Sequence, residues 1–126
     1  MSQSLPDYFE NIFKFIDTLE LGNSYIEEGS EQPNQLSRNK LKKLAEDLYI
    51  HHKLIPLNVV PVVDNGIALE YHTNNKTVLL VECYNEGEVC GIIYNNALKF
   101  CGNAKTIINL EDLDILVKEF NIYLEK

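Results

Sequence analysis

Three polar breaks, Asp64-Asn65-Gly66, Asn74-Asn75-Lys76 and Asn85-Glu86-Gly87, cut residues 57–95 into four apolar stretches of similar length. This punctuation constrains the fold more than any other feature of the chain. Asn, Asp and Gly tolerate positive φ or bond their own backbone, so each break suits a tight reversal. The stretches 57–63, 67–73, 77–84 and 88–95 are strand-like throughout. In the second, Ile67, Leu69 and Tyr71 alternate with Ala68, Glu70 and His72, the period-two pattern of a half-buried strand. An antiparallel meander of four strands is expected, with Asn95-Asn96 as a further turn and 97–100 as a short fifth strand.

Helical patterns flank the meander. Asp7 is placed to cap a first turn, with Glu10 three residues on as the return partner of a capping box. Phe9, Ile12, Phe13, Phe15, Ile16 and Leu19 then follow mostly helical spacing up to Gly22. Residues 22–32 read as a polar loop pinned by Tyr25 and Ile26. Pro33-Asn34 supplies a turn and a cap for a second helix with the stripe Leu41, Leu44, Ala45, Leu48 and Tyr49. Pro56 is expected to stop it, because proline disfavours helical geometry in the residue before it. Asn109 with Asp112 opens the last helix, whose stripe is Leu110, Leu113, Leu116, Val117, Phe120 and Leu124. The expected fold is therefore α+β, spanning residues 1–126 as one domain. It has two N-terminal helices, a meander of four to five strands, and a C-terminal helix packed on one face of the sheet.

Nineteen acidic residues against eleven basic ones give a formal net charge of -8. Nucleic-acid affinity comes from cations that displace counterions, and only Arg38-Asn39-Lys40-Leu41-Lys42-Lys43 concentrates them, so direct nucleic-acid binding is not expected. An acidic surface suits a partner with a basic face. Cys83, Cys90 and Cys101 form no C-x-x-C pair and leave one thiol over in any disulfide scheme, which fits a reducing compartment. With no basic, apolar leader and no long apolar run, a cytoplasmic protein without membrane contact is expected.

Glu70 and His72 stand two apart on a strand and project from one face, as an acid/base pair would. Catalysis also needs a third group and a pocket, and the plainer reading is the solvated face of a strand. His51 and His52 are adjacent on a helix and point about 100° apart, a poor arrangement for one metal ion. An ion pair between Asp47 and His51, one turn apart, is expected instead. Cys83 and Cys90 flank the Asn85-Glu86-Gly87 turn, near enough in sequence to face each other across a hairpin. No cation in that segment would activate a thiol, so they read as small buried hydrophobes. Neither a nucleophile elbow nor a phosphate-cradling loop occurs. No cofactor and no metal are expected.

Residues 25–82 carry a further pattern: "YIEEGSEQPN", a helix, then "VVPVVDNGIALEYH" and "VLLVE". It resembles a family of small uncharacterised bacterial proteins that read Trp-Asp-Gly-x-Gly-Ala, a proline and a Ser or Asn cap, then V-x-P-x-x-D-G-G-[IV]-x-L-E-W and L-x-I-E-[IV]. The matching positions are Gly29, Pro33, Asn34, Val59, Pro61, Asp64, Gly66, Ile67, Leu69, Glu70 and Glu82. Tyr25 and Tyr71 stand where the family has tryptophan. Asn65 replaces the first glycine of the pair, and asparagine is the other residue that adopts left-handed geometry readily. The resemblance implies a fold pattern and a toxin–antitoxin or defence-operon context, and no active site.

The functional expectation is a non-enzymatic interaction module of antitoxin or immunity type that binds and occludes a basic protein, such as a toxin or defence effector. Glu70, Tyr71, His72, Glu82, Tyr84 and Tyr94 are the expected contact residues, since tyrosine joins an apolar ring to a polar tip. Two alternatives stand beside it: an acidic secretion chaperone or adaptor acting as a homodimer, and a small hydrolase-like enzyme using Glu70 and His72, with Cys83 nearby. A structural role for Glu70, bonding an amide of the loop around Tyr25 and Gly29, is a further option.

Overall fold

The computed structural model describes residues 5–73, 76–95, 99–102 and 104–124. Its elements follow the chain as α1 (Tyr8–Thr18), α2 (Asn23–Glu27), α3 (Gln35–His52), β1 (Asn58–Val62), β2 (Gly66–His72), β3 (Val78–Tyr84), β4 (Val89–Asn95), β5 (Phe100–Cys101), β6 (Lys105–Thr106) and α4 (Leu110–Leu124). The fold is α+β, as the pattern of breaks predicts. The strands form one antiparallel sheet in the order β1-β2-β3-β4-β5, and β6 pairs with β4 beside β5. The expected fifth strand begins only at Phe100; 96–98 lie outside the described residues, as do Asn74 and Asn75 of the second break.

The hairpin turns explain the register. Val62 pairs with Gly66 across a three-residue loop, and Asn65 takes the left-handed conformation at φ 73°. Gly66 serves a different need: a Cβ there would lie 2.3 Å from the Cys83 carbonyl oxygen, so only hydrogen fits between β2 and β3. Register then puts Ile67, Leu69 and Tyr71 opposite Cys83, Val81 and Leu79 on the inner face. The helices cover this face. Phe9 and Ile16 from α1, Leu41 and Leu48 from α3, and Leu116 and Phe120 from α4 join those strand residues in one buried core. Close packing of α4 is set at Gly91, where a Cβ would approach Leu116 to 2.2 Å.

Helix boundaries depart from expectation in three places. Asp7 makes no side-chain cap; its own backbone is already helical, so its carboxylate does not reach the free amides and the capping box does not form. The second predicted helix, α3, ends before Pro56 is felt, at Lys53, which turns left-handed (φ 58°) and closes onto the Leu48 and Tyr49 carbonyls. Asn34 does cap it, accepting from the Ser37 amide at 2.9 Å. Residues 22–32 hold a short helix, and Tyr25 and Ile26 are 45% and 37% exposed, so they do not pin it. Hydrogen bonds pin it instead. Gln32 exchanges two with the Leu21 backbone, Ser30 Oγ donates to the Val63 carbonyl, and the Glu31 amide donates to Asn65 Oδ1.

Arg38, the chain's only arginine, is buried. Its Nε donates to the Pro33 carbonyl (3.1 Å), Nη1 to Ile16 (2.6 Å) and Nη2 to Leu19 (2.8 Å). The last two acceptors belong to the C-terminal end of α1, where carbonyls lack helical partners and the helix dipole is negative. The strongest cation of the basic cluster is thus consumed inside the fold. Asp47 pairs with Lys43 at 3.0 Å and leaves the expected His51 partnership unmade, while His52 joins α3 to α4 through Asp114 at 2.7 Å.

Candidate functional site

The outer face of the sheet, away from the helices, carries five of the six expected contact residues. Alternation on β2 projects Glu70 and His72 outward; the register adds Glu82 and Tyr84 from β3 and Tyr94 from β4. Tyr71 is the exception. It points inward, is 1% exposed, and cannot meet a partner, because the alternation that exposes Glu70 and His72 must bury it. Its hydroxyl has no hydrogen-bond partner among the described residues, and burial drives its pKa well up.

The two carboxylates on this face have opposite environments. Burial opposes the charge of Glu70, but hydrogen bonds outweigh it: His72 Nε2 donates at 2.7 Å and Asn58 Nδ2 at 3.1 Å, which leaves the carboxyl below its usual value. Glu70 is therefore satisfied within its own strand pair, and Asn65 rather than Glu70 holds the loop around Gly29. Burial pushes Glu82 upward, and the charge of Asp64 adds to this against the bond from Tyr84. The same crowding, burial first and Glu82 next, takes Tyr84 to about 12 and raises the Cys90 thiol.

A pH dependence follows for Glu82. Its folded pKa lies above the unfolded value of about 4.3, so the folded state holds the extra proton and stability falls as pH rises through that window. Glu82→Gln is expected to stabilise the protein at neutral pH and to be neutral below about pH 4. The carboxylate is only partly buried, so solvent screening keeps the gain small. Urea denaturation at pH 7 and pH 3.5 checks this, and a variant no more stable at pH 7 would contradict it.

Cys83 does not join Glu70 and His72. It faces Val89 across the hairpin on the inner face, fully buried, with burial raising its thiol to about 12, while Cys90 opposes Glu82 on the outer face. The two cysteines thus lie on opposite sides of the sheet, and the three-group arrangement a hydrolase would need is not assembled. Cys83 is the small buried hydrophobe expected; Cys90 is half-buried, and Cys101 is exposed. Among the described residues no three His, Cys, Asp or Glu side chains are grouped to hold a metal ion. No described helix is long and apolar enough to cross a membrane.

At the turn end of the sheet the acidic residues converge. Glu31 from the α2–α3 loop, Asp64 from the β1–β2 turn, and Glu86 and Glu88 from the β3–β4 turn surround a hollow of about 260 Å³ floored by Tyr84 and Asn85. None of these four carboxylates is in an ion pair among the described residues. What brings the three segments together is Asn85. Its Oδ1 accepts from the Asn34 amide (2.9 Å) and Ser37 Oγ (3.0 Å), its Nδ2 donates to the Gln32 carbonyl (2.9 Å), and its own amide donates to the Asn65 carbonyl (2.7 Å). Sequence reasoning missed this convergence. Each acidic residue sits in a separate polar turn, and only the hidden asparagine contacts make them neighbours.

Compared with family models, curated proteins and solved structures, the chain matches none.

Proposed function

We propose that the protein is a non-enzymatic interaction module of antitoxin or immunity type, which binds a basic segment of a partner protein and occludes it. The acidic hollow carries this reading. Four carboxylates without cationic partners among the described residues, held on a hydrogen-bonded frame, form a preorganised receptor for Lys or Arg side chains. The adjoining outer face supplies Tyr84 and Tyr94, each half-buried, as apolar and hydrogen-bonding contacts. The motif resemblance of residues 25–82 supports the same context, since it implies a toxin–antitoxin or defence operon.

The test is capture of the partner from the native host by the tagged protein, its identification, and a toxicity-rescue assay. A basic partner is expected, whose affinity falls steeply with added salt. The triple variant Glu31→Gln/Glu86→Gln/Glu88→Gln is expected to weaken binding by about tenfold to a hundredfold while leaving the melting temperature within a few degrees. A partner bound equally well by the triple variant, or one that is not basic, would sink the reading.

One observation favours a second reading, an acidic adaptor acting as a homodimer. Phe15 and Leu57 are 60% and 62% exposed and line a hollow of about 260 Å³ beside the edge strand β1. A monomeric mass by light scattering at high protein concentration would remove it.

A further inference from the structure

Between α3, the start of β4 and the entry to α4 lies a second opening, a cleft of about 510 Å³. Its walls are apolar: Leu44 from α3, Val89 from β4, and Ile107, Leu110 and Leu113 along the entry to α4. Ile108 and Leu110 are left 83% and 47% exposed at its rim. A volume of this order with an apolar lining and a few placed polar groups is the usual form of a small-molecule site.

The polar groups at the mouth select the ligand's charge. Lys43 is neutralised by Asp47 at 3.0 Å. Lys40 is different: its Nζ donates to the Gly87 carbonyl at 2.7 Å and, among the described residues, has no carboxylate within ion-pair distance. A neutral carbonyl therefore fixes a lysine over the cleft, with donors to spare. Glu88, shared with the acidic hollow, lies on the same rim and repels any anion, so the contact with Lys40 is what offsets one negative charge and nothing on the rim offsets another.

We infer that this cleft binds an amphipathic monocarboxylate, its apolar body between α3 and α4 and its carboxylate on Lys40. The cleft opens on the other side of the β3–β4 turn from the acidic hollow and shares only Glu88 with it, so the ligand's apolar body and its contact with Lys40 do not rest on the reading of the hollow.

The experiment is a titration of the full-length protein with decanoate below its micellar range, followed by amide NMR. Saturable shifts are expected at Gly87, Ile107 and Leu113, and the neutral analogue 1-decanol is expected to bind about fivefold to tenfold more weakly. Lys40→Met should abolish that preference and Lys40→Arg restore it, both on an exposed contact that leaves the circular dichroism unchanged. Leu44→Phe should close the cleft and weaken both ligands. Failure to saturate, equal affinity for decanol, or shifts indifferent to these variants would overturn the inference. So would an acidic, apolar peptide that perturbs the same amides where decanoate does not, since the cleft would then belong to a protein partner.

Discussion

Replacing Asn85 by alanine is expected to destabilise the fold by about 3 kcal/mol and to lower the melting temperature by about 10 °C. The side chain is buried and makes three hydrogen bonds, to the Asn34 amide, Ser37 Oγ and the Gln32 carbonyl. Truncation strands the Asn34 amide and the Gln32 carbonyl, each with a desolvation penalty of about 1 kcal/mol or more, while Ser37 Oγ falls back on the Asn34 carbonyl at 3.0 Å. Asn85→Asp is a sharper probe, because it keeps both acceptor contacts and loses only the donor to Gln32. That change sets a carboxylate against a carbonyl oxygen, so it too should destabilise, by a comparable amount. Differential scanning calorimetry reads both. If Asn85→Ala melts within about 2 °C of the parent, the hub is not what holds the turns to α3.

The consequence for function runs through the same residue. Glu31, Asp64, Glu86 and Glu88 come from three segments far apart in sequence, and like charges do not gather unless a frame holds them. Asn85 ties the 31–34 loop, the β1–β2 turn and the α3 N-terminus to its own turn. Loosening that frame therefore disperses the carboxylates before it unfolds the core.

This division marks where the sequence could be read. Alternation in Ile67, Leu69 and Tyr71 has one geometric meaning, so the sheet's two faces and the position of Glu70 and His72 were legible from it. The same alternation places Tyr71 on the buried face with Ile67 and Leu69, away from any contact surface. Stripes such as Leu41, Ala45 and Leu48 likewise announce their burial. Arg38 and Asn85 were illegible for one physical reason. Both are polar residues of types that normally sit in water, and their burial depends on carbonyls and amides brought to them by tertiary structure. A basic run and a polar turn look the same whether their members are solvated or satisfied inside. The cleft beside Lys40 was hidden too, because cavities are set by how far helices stand apart, which hydrophobic periodicity does not encode.

Gly66→Ala is expected to cost about 3 kcal/mol or more, because the clash it creates has no flexible side chain to absorb it. The new Cβ would sit 2.3 Å from the Cys83 carbonyl oxygen and 3.0 Å from the Tyr84 Cα, both backbone atoms of the neighbouring strand. Relief requires β2 and β3 to part at the turn end, which breaks the Gly66–Tyr84 pairing and moves Asn65, Asp64 and Tyr84 together. Gly29 is the informative control. It matches the same motif, but its φ is 102° and a Cβ would meet nothing within 4 Å, so alanine there incurs backbone strain alone, about 1 kcal/mol. Chemical denaturation of the two variants should therefore separate them by about 2 kcal/mol, with Gly66→Ala the less stable. Partner binding should follow that order, since only Gly66→Ala displaces residues lining the acidic hollow. Equal losses at the two positions would mean that β2 and β3 can open at Gly66 without resistance, and the turn would then be too loose to hold Asp64 and Tyr84 as a preformed receptor.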